Sequence, residues 1–277
     1  MPTKYPWRLA EVTLKEVRKF KYQTAVFPFG ATEPHNLHLP YATDNIECEA
    51  ICDRACAVAW EKGARVALLP TVPLGADQNL LGFPMTISLD QGQLDGIVES
   101  AAKSLERHGV RKLVVVNGHG GNNFQPGIRT LYGKTKVFIC LINWYQMMSD
   151  EAAKIFIHAD DHAGEMETSL VMALRPELVT KSWADDGATY PSRLQSAKKG
   201  WVWYPRPWHA LTTNSGVGFP HLATGAKGQQ FLKTTAARIG QFLAELDKTP
   251  LGRHFPYDRS KKPVPQGRSG GRKRKVP

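Results

Sequence analysis

Short runs of apolar, often β-branched residues alternate along this chain with longer segments whose apolar positions recur every three or four residues. The first kind marks strands buried on both faces, the second amphipathic helices. Thr24 to Phe29, Arg65 to Pro70, Lys112 to Val116 and Lys136 to Ile142 read as strands. Thr43 to Lys62, Asp90 to His108, Phe124 to Gly133, Glu165 to Leu174 and Ala226 to Leu246 read as helices. Gly109 stops the second of these helices and Arg175-Pro176 ends the fourth. Residues 184–220 show no period and are rich in Pro, Gly and Trp. No internal repeat occurs, and no linker precedes about residue 250. The alternation predicts an α/β fold, with a mainly parallel central sheet and helices on both faces. In such folds ligands gather beyond the carboxyl ends of the strands.

Composition narrows the class. The 277 residues, 42% of them hydrophobic, allow one large domain with a substantial core. No apolar run reaches the roughly 18 residues of a membrane span. Met-Pro-Thr-Lys-Tyr-Pro-Trp lacks the apolar heart of a signal peptide, so the expected location is cytoplasmic. Cys48, Cys52 and Cys56 share one helix face and read as small buried apolar residues rather than a cluster site. The net charge of +11 belongs largely to the end of the chain: residues 253–277 hold nine Lys/Arg against Asp258 alone. The division expected is a catalytic body over 1–252 and a basic, flexible tail over 253–277. That tail reads as a solvated or oligomer-wrapping arm, with weak, salt-sensitive nucleic-acid contact as the sharper alternative.

The chemistry concentrates between Glu33 and Asp44. Glu33, His35, His38 and Asp44 fall within twelve residues, and carboxylate oxygen with imidazole nitrogen suits Zn²⁺, Mn²⁺ or Fe²⁺. Pro34 holds Glu33 extended, so Glu33 and His35 point the same way. Thr43 reads as an N-cap, placing Asp44 in the first helical turn. Alone, this stretch is equally a His- and Pro-rich surface loop before a capped helix. Two further segments add weight: Asn117-Gly-His-Gly-Gly-Asn122 after a strand, and His162-Ala-Gly-Glu-Met-Glu-Thr-Ser169 opening a helix. Three carboxylates in one pocket repel, and a pair of divalent cations relieves that. Glu33, Asp44 and His119 would hold one ion. His35, Asp44 and a carboxylate of the 165–169 segment would hold the other, with Asp44 bridging. Two such ions can share and generate a hydroxide at neutral pH. Backbone N–H groups at Gly120 and Gly121 offer a cradle for developing negative charge. His162 is the candidate proton shuttle.

These motifs, with Gly82-Phe-Pro-Met-Thr-Ile-Ser-Leu89 and Gly216-Val-Gly-Phe-Pro220 followed by Ala223-Thr-Gly-Ala-Lys-Gly228, resemble the creatininase (creatinine amidohydrolase) family over roughly residues 20–245. The resemblance implies a three-layer αβα sandwich, homo-oligomers and a two-metal hydrolytic site. It assigns metal positions to Glu33, His35, Asp44 and His119, and the catalytic histidine to His162. Two departures stand out. Asn36 replaces a glycine of the family's Glu-x-His-Gly-x-His, and Gly121 stands where creatininase has a metal-binding glutamate. Glu167 is the first choice for the missing ligand and a catalytic role, Glu165 the second. They lie about 200° apart on a helix and cannot share a face.

His38 reads as lying behind the ligands or in packing, Asp160 and Asp161 as solvated charges unless one orients His162, and His209 and His221 as loop histidines. Trp183, Trp201, Trp203 and Trp208 read as packing under a long loop or as an aromatic lid over the site, with Arg193 and Arg206 beside them. Trp144, at a strand end, and Trp203 are the aromatics assigned to substrate. The reading is a cytoplasmic metal-dependent hydrolase whose hydroxide attacks the carbonyl of a small polar cyclic amide or formamide. Ring opening of a carbocyclic ketone or lactone is the alternative. A non-catalytic metal-binding protein with a nucleic-acid-binding tail is the reading from another class.

Overall fold

The computed structural model describes residues 4–158 and 161–263. Four strands, β1 (Thr24–Phe29), β2 (Val66–Leu68), β3 (Lys112–Asn117) and β4 (Phe138–Asn143), form one parallel sheet in the order β2-β1-β3-β4. The helices are α1 (Leu14–Phe20), α2 (Thr43–Glu61), α3 (Gln91–Arg107), α4 (Phe124–Leu131), α5 (Trp144–Met147), α6 (Ser149–Ile155), α7 (Glu165–Leu174), α8 (Gln195–Lys198), α9 (Trp208–Leu211) and α10 (Gly225–Lys248).

Successive side chains of a strand leave opposite faces, so each strand feeds two cores. Val26, Val66, Val114 and Val116 meet α2 and α10 on one face, through Ile51, Ala55, Phe231, Ile239 and Leu243. Ala25, Phe27, Phe29, Leu113 and Val115 meet α3 and α4 on the other, through Leu94, Val98, Phe124 and Leu131. The result is a three-layer αβα sandwich. The central strands β1 and β3 are buried along their whole length, which is why their interiors read as continuous apolar runs. Pro28 is tolerated in β1 because its backbone turns toward the loop after β2. There its carbonyl accepts from Val72 N at 3.0 Å, and the ladder to β3 loses nothing.

Helix ends are set by specific groups. Asp90 and Gln93 form a capping box on α3. Lys112 reaches the C-terminal end of α10 and donates to the carbonyls of Leu246, Asp247 and Thr249 at 2.6–2.8 Å, where a cation is favoured. The cap expected at Thr43 is corrected: Ala42 is the N-cap residue and makes no side-chain cap bond. Thr43 is already helical and its hydroxyl donates to Pro40 O at 2.7 Å. α5 and α6 follow β4 without a loop, in a segment where the sequence pattern predicts neither. Within the expected tail, Phe255 packs edge-on against Phe138 of β4 at 4.8 Å. Residues 264–277, most of the predicted tail, lie outside the described residues.

Candidate active site

All four strands run the same way, so the loops leaving them meet at one edge of the sheet. β1 delivers Glu33 and His35, β2 delivers Asp77, and β3 delivers His119, Gly120 and Gly121. α2 presents Asp44 from its first turn, the segment before α7 brings His162, and the first turn of α7 brings Glu167. A cavity of about 860 Å³ opens above them. Its floor includes Glu33, Asp44, His119, His162 and Glu167, and its walls include Tyr145, His158, Trp203, Arg206 and Trp208.

The floor consists of two sets of donor atoms that share Asp44. In the first, His119 Nδ1 lies 3.0 Å from both Glu33 Oε1 and Asp44 Oδ2. In the second, His35 Nε2 lies 3.0 Å from Asp44 Oδ1 and 4.0 Å from Glu167 Oε2. His35 Nδ1 donates to the Glu33 carbonyl at 3.0 Å, since a carbonyl can only accept, and this leaves Nε2 as the nitrogen that faces Asp44. His162 follows the same logic. Its Nε2–H donates to Pro34 O at 2.8 Å, and Nδ1 faces Glu33 Oε1 at 3.7 Å. Backbone bonds in both directions between His162 and Val217 fix its position. The edge of Trp208 covers its ring at 4.9 Å.

The local chain explains these placements. Asn36, where the family's motif has glycine, sits at φ 56°, a left-handed conformation that asparagine tolerates better than most residues. Its side chain accepts from Leu37 N and donates to Asp185 Oδ1, both at 2.7 Å, tying the Glu33–Asp44 loop to the 184–216 segment. Glu167 Oε2 accepts from Ala163 N, which orients the carboxylate from within its own segment.

The charges are strongly perturbed. Burial, with Asp44 adding to it, pushes Glu33 up to about 7 despite His119 beside it. Burial opposes charging of His35, but Asp44 and Glu167 outweigh it and raise the imidazole to about 10. The same contest raises His119, with Glu33, Asp44 and Asp77 as partners. Burial is also the largest influence on Asp44, yet His35 and His119 hold its carboxyl well below the usual range. His162, buried beside His35, is pushed well down and stays neutral.

The donor set fits divalent metal ions. Glu33 Oε2, Asp44 Oδ2 and Asp77 Oδ2 are buried without a hydrogen-bond partner among the described residues. Buried anionic atoms left in that state are costly unless a cation meets them. Spacings of 3.0 Å also match neighbouring donors around one ion with bonds of about 2.1 Å. Glu33, Asp77 and His119 form a group able to hold a metal, as do His35, Asp44 and Glu167, and as do Glu33, His35 and His162.

Other predicted residues fall elsewhere. Trp144 is corrected: only 1% exposed, it packs on Tyr145 and Phe231 in the core and does not line the cavity. Because α5 starts at Trp144, its side chain turns back under α10, and Tyr145 and Gln146 reach the cavity instead. Glu165 points away, ion-paired with Lys227 and accepting from Ile157 N at 2.9 Å. His38 faces Thr168 Oγ1 at 2.8 Å. Gly120, Gly121 and Trp203 line the cavity, whereas Trp183 and Trp201 stand exposed outside it. Asp161 lines the cavity and is paired with Arg206. Asp160 lies outside the described residues.

Sequence reasoning passes over Asp77 and Glu47. Asp77 follows β2 at the same sheet edge as the other loops, and that position is the signal that could have found it. Glu47 lies one turn after Asp44, fully buried with neither oxygen partnered, and burial together with Glu167 and Asp44 raises its carboxyl.

Known proteins are similar to this chain in sequence and fold. The creatininase family profile (creatinine amidohydrolase) matches residues 10–243. A creatinine amidohydrolase of Pseudomonas putida is 32% identical over 188 residues, 60% of this chain and 70% of that protein. A mycofactocin precursor peptide peptidase of Mycobacterium tuberculosis is 29% identical over 213 residues, 74% of this chain and 78% of that protein. A 3-dehydro-scyllo-inosose hydrolase of Thermotoga maritima is 29% identical over 63% of this chain and 58% of its own length. Among solved structures, a manganese creatininase superimposes with a TM-score of 0.72 and 25% identity, covering 88% of this chain and 99% of its own. A creatinine amidohydrolase candidate from Bacteroides fragilis reaches 0.84 at 35% identity, covering 90% and 100%. Fold, donor set and sequence agree: the chain belongs to the creatininase family of metal-dependent hydrolases.

Proposed function

We propose that this enzyme hydrolyses a carbonyl–nitrogen bond in a polar amide, using two divalent metal ions (zinc, manganese or iron) held on the shared carboxylate. The observation that carries the reading is Asp44, whose two oxygens face His119 and His35 separately at 3.0 Å. Glu33 and His119 complete one set of ligands, and His35 and Glu167 the other. Bound there, the ions would lower the pKa of water and polarise a carbonyl oxygen.

The chain's own groups supply the rest. Trp208 covers the His162 ring and limits water there. His162 is neutral, with Nε2–H tied to Pro34, so Nδ1 takes up a proton from the attacking water and delivers it to the leaving nitrogen as the C–N bond breaks. Gly120 and Gly121 line the cavity beside the ligands, where their backbone N–H groups would serve developing oxyanion charge. Trp203, at the cavity mouth, packs against the substrate.

The cavity informs the substrate. At about 860 Å³ it sits near the upper end of small-molecule sites, with room beyond a single small ring. It therefore accommodates an amide carried on a larger group, and two of the similar proteins are named for acting on an amide or a peptide. Hydrolytic opening of a carbocyclic ring, the second reading, is supported by the named hydrolase of Thermotoga maritima. Assembly into homo-oligomers belongs to the same proposal and is measured by light scattering.

The test is elemental analysis of active protein, followed by a panel of cyclic amides, formamides, short peptides and cyclic ketones. Close to two ions per chain and turnover of amides are expected. Asp44→Ala loses both ions. Active protein without metal, or a variant retaining one tight ion, refutes the shared-carboxylate reading.

A further inference from the structure

Asp77 is fully buried, and Oδ1 lies 2.6 Å from His119 Nε2. No other side chain and no backbone donor reaches either Asp77 oxygen among the described residues. The opposite ring nitrogen, Nδ1, is the one that faces Glu33 and Asp44. An imidazole offers a metal one nitrogen at a time, and what it donates from the other fixes tautomer and ring orientation.

We propose that Asp77 is a positioning residue of the metal centre: it holds the Nε2–H of His119, so that Nδ1 alone is offered to the ion beside Glu33 and Asp44. The proposal rests on the two-metal reading above.

The surroundings are built for this contact. Asn122 ties the two loops together, its Oδ1 accepting from Ala76 N at 2.9 Å and its Nδ2 donating to Asn117 Oδ1 at 3.0 Å. Asn117 in turn donates to His119 O at 2.8 Å. Ser88 Oγ accepts from Asp77 N at 2.8 Å, fixing the other end of the carboxylate's loop. A Cβ at position 121 would stand 2.3 Å from His119 Nε2 and 2.4 Å from Ala76 O. No side chain fits there, so the space beside Nε2 is left to Asp77. The carboxylate also adds charge. With Glu33, Asp44 and Glu167 it makes four anions around the centre, which matches two dications.

The experiment compares full-length wild type, Asp77→Ala and Asp77→Asn. Zinc affinity is measured by chelator competition, and the His119 tautomer by ¹⁵N NMR of histidine-labelled, zinc-loaded protein. Asp77→Ala should weaken one of the two zinc ions by about 10–100-fold and leave the other within about threefold. The Nε2–H resonance of His119 should lose its protection from exchange. In Asp77→Asn the amide oxygen still accepts from Nε2–H, so both zinc affinity and tautomer should be largely restored. This variant also keeps the test open if the alanine protein fails to fold. Unchanged zinc affinity with an unchanged tautomer in Asp77→Ala overturns the proposal. Loss of one whole equivalent at saturating zinc in both variants also overturns it, because Asp77 would then be a ligand. Wild type that binds no zinc refutes the two-metal reading instead.

Discussion

Glu165 and Glu167 stand two residues apart on α7, yet they belong to different parts of the molecule. Glu167 faces His35 and Asp44, whereas Glu165 is held by Lys227 and the backbone of Ile157 and His158. The roughly 200° between them on a helix enforces this separation. Glu167→Gln is therefore expected to lose one metal ion and nearly all turnover, with little change in folding stability. Glu165→Gln should keep both ions but lower stability by about 1–2 kcal/mol, because a buried charged acceptor is lost. Metal analysis and thermal unfolding on both variants check this, and the reverse pattern would exchange their roles. Asn36 shows how a departure from the family motif is accommodated. Asparagine keeps the left-handed turn that glycine would make and adds a bond to Asp185.

At the scale of elements, the N-terminal segment before α1 is anchored to α2 through one carboxylate. Asp53 accepts from Trp7 Nε1 at 2.7 Å and from Arg8 through Nε and Nη2, both at 2.7 Å. Burial works against the Asp53 carboxylate, but Arg8 and Trp7 outweigh it and hold its pKa below the ordinary value. A depressed carboxyl contributes stability above its unfolded pKa and loses it as pH falls through the folded one. Asp53→Asn is thus expected to be less stable than wild type at pH 7, by about 1 kcal/mol for this partly exposed pair. The gap should close as pH falls below the ordinary aspartate range of about 4. Denaturant unfolding at several pH values measures it, and a gap constant with pH would show that the bonds act through shape alone. The same anchor matters to the sheet, since Trp7 O accepts from Leu68 N and covers the edge of β2.

Over the whole molecule, the charge lies at one end and the chemistry at one edge. Nine of the 36 Lys/Arg fall within residues 253–277, yet Phe255 in that stretch packs on β4. Truncation after residue 259 should leave thermal stability, metal content and turnover unchanged, and should weaken any salt-sensitive DNA binding sharply. Truncation after residue 252 removes Phe255 and should cost about 1–2 kcal/mol of stability. Unfolding curves of the two truncated proteins separate these outcomes. Equal stability would place the tail boundary at residue 253, and dissociation into inactive subunits would make the tail an assembly arm. Among the described residues no helix is long and apolar enough to cross a membrane.

Sequence alone carries whatever depends on neighbours along the chain. The runs at 24–29 and 112–117 announce a doubly covered sheet because burial on both faces leaves polar residues only at their ends, Thr24, Lys112 and Asn117. The Glu33–Asp44 stretch declares itself because its donors are close in sequence, and His119 and His162 because each sits in a local motif. The parallel direction of the strands then predicts that these loops converge, since parallel strands end at one edge. What depends on contacts between distant segments needs the tertiary structure. Asp77 is a lone acid in an unremarkable loop until the β2 edge sets it against His119, on a different strand. Trp144 looks like a cavity aromatic because it ends a strand. Only the immediate start of α5 turns it into the core and leaves Tyr145 at the wall. The division of Asp44 between two imidazoles is likewise decided by packing. α2 must lie against β1 and β3 before one carboxylate can face both.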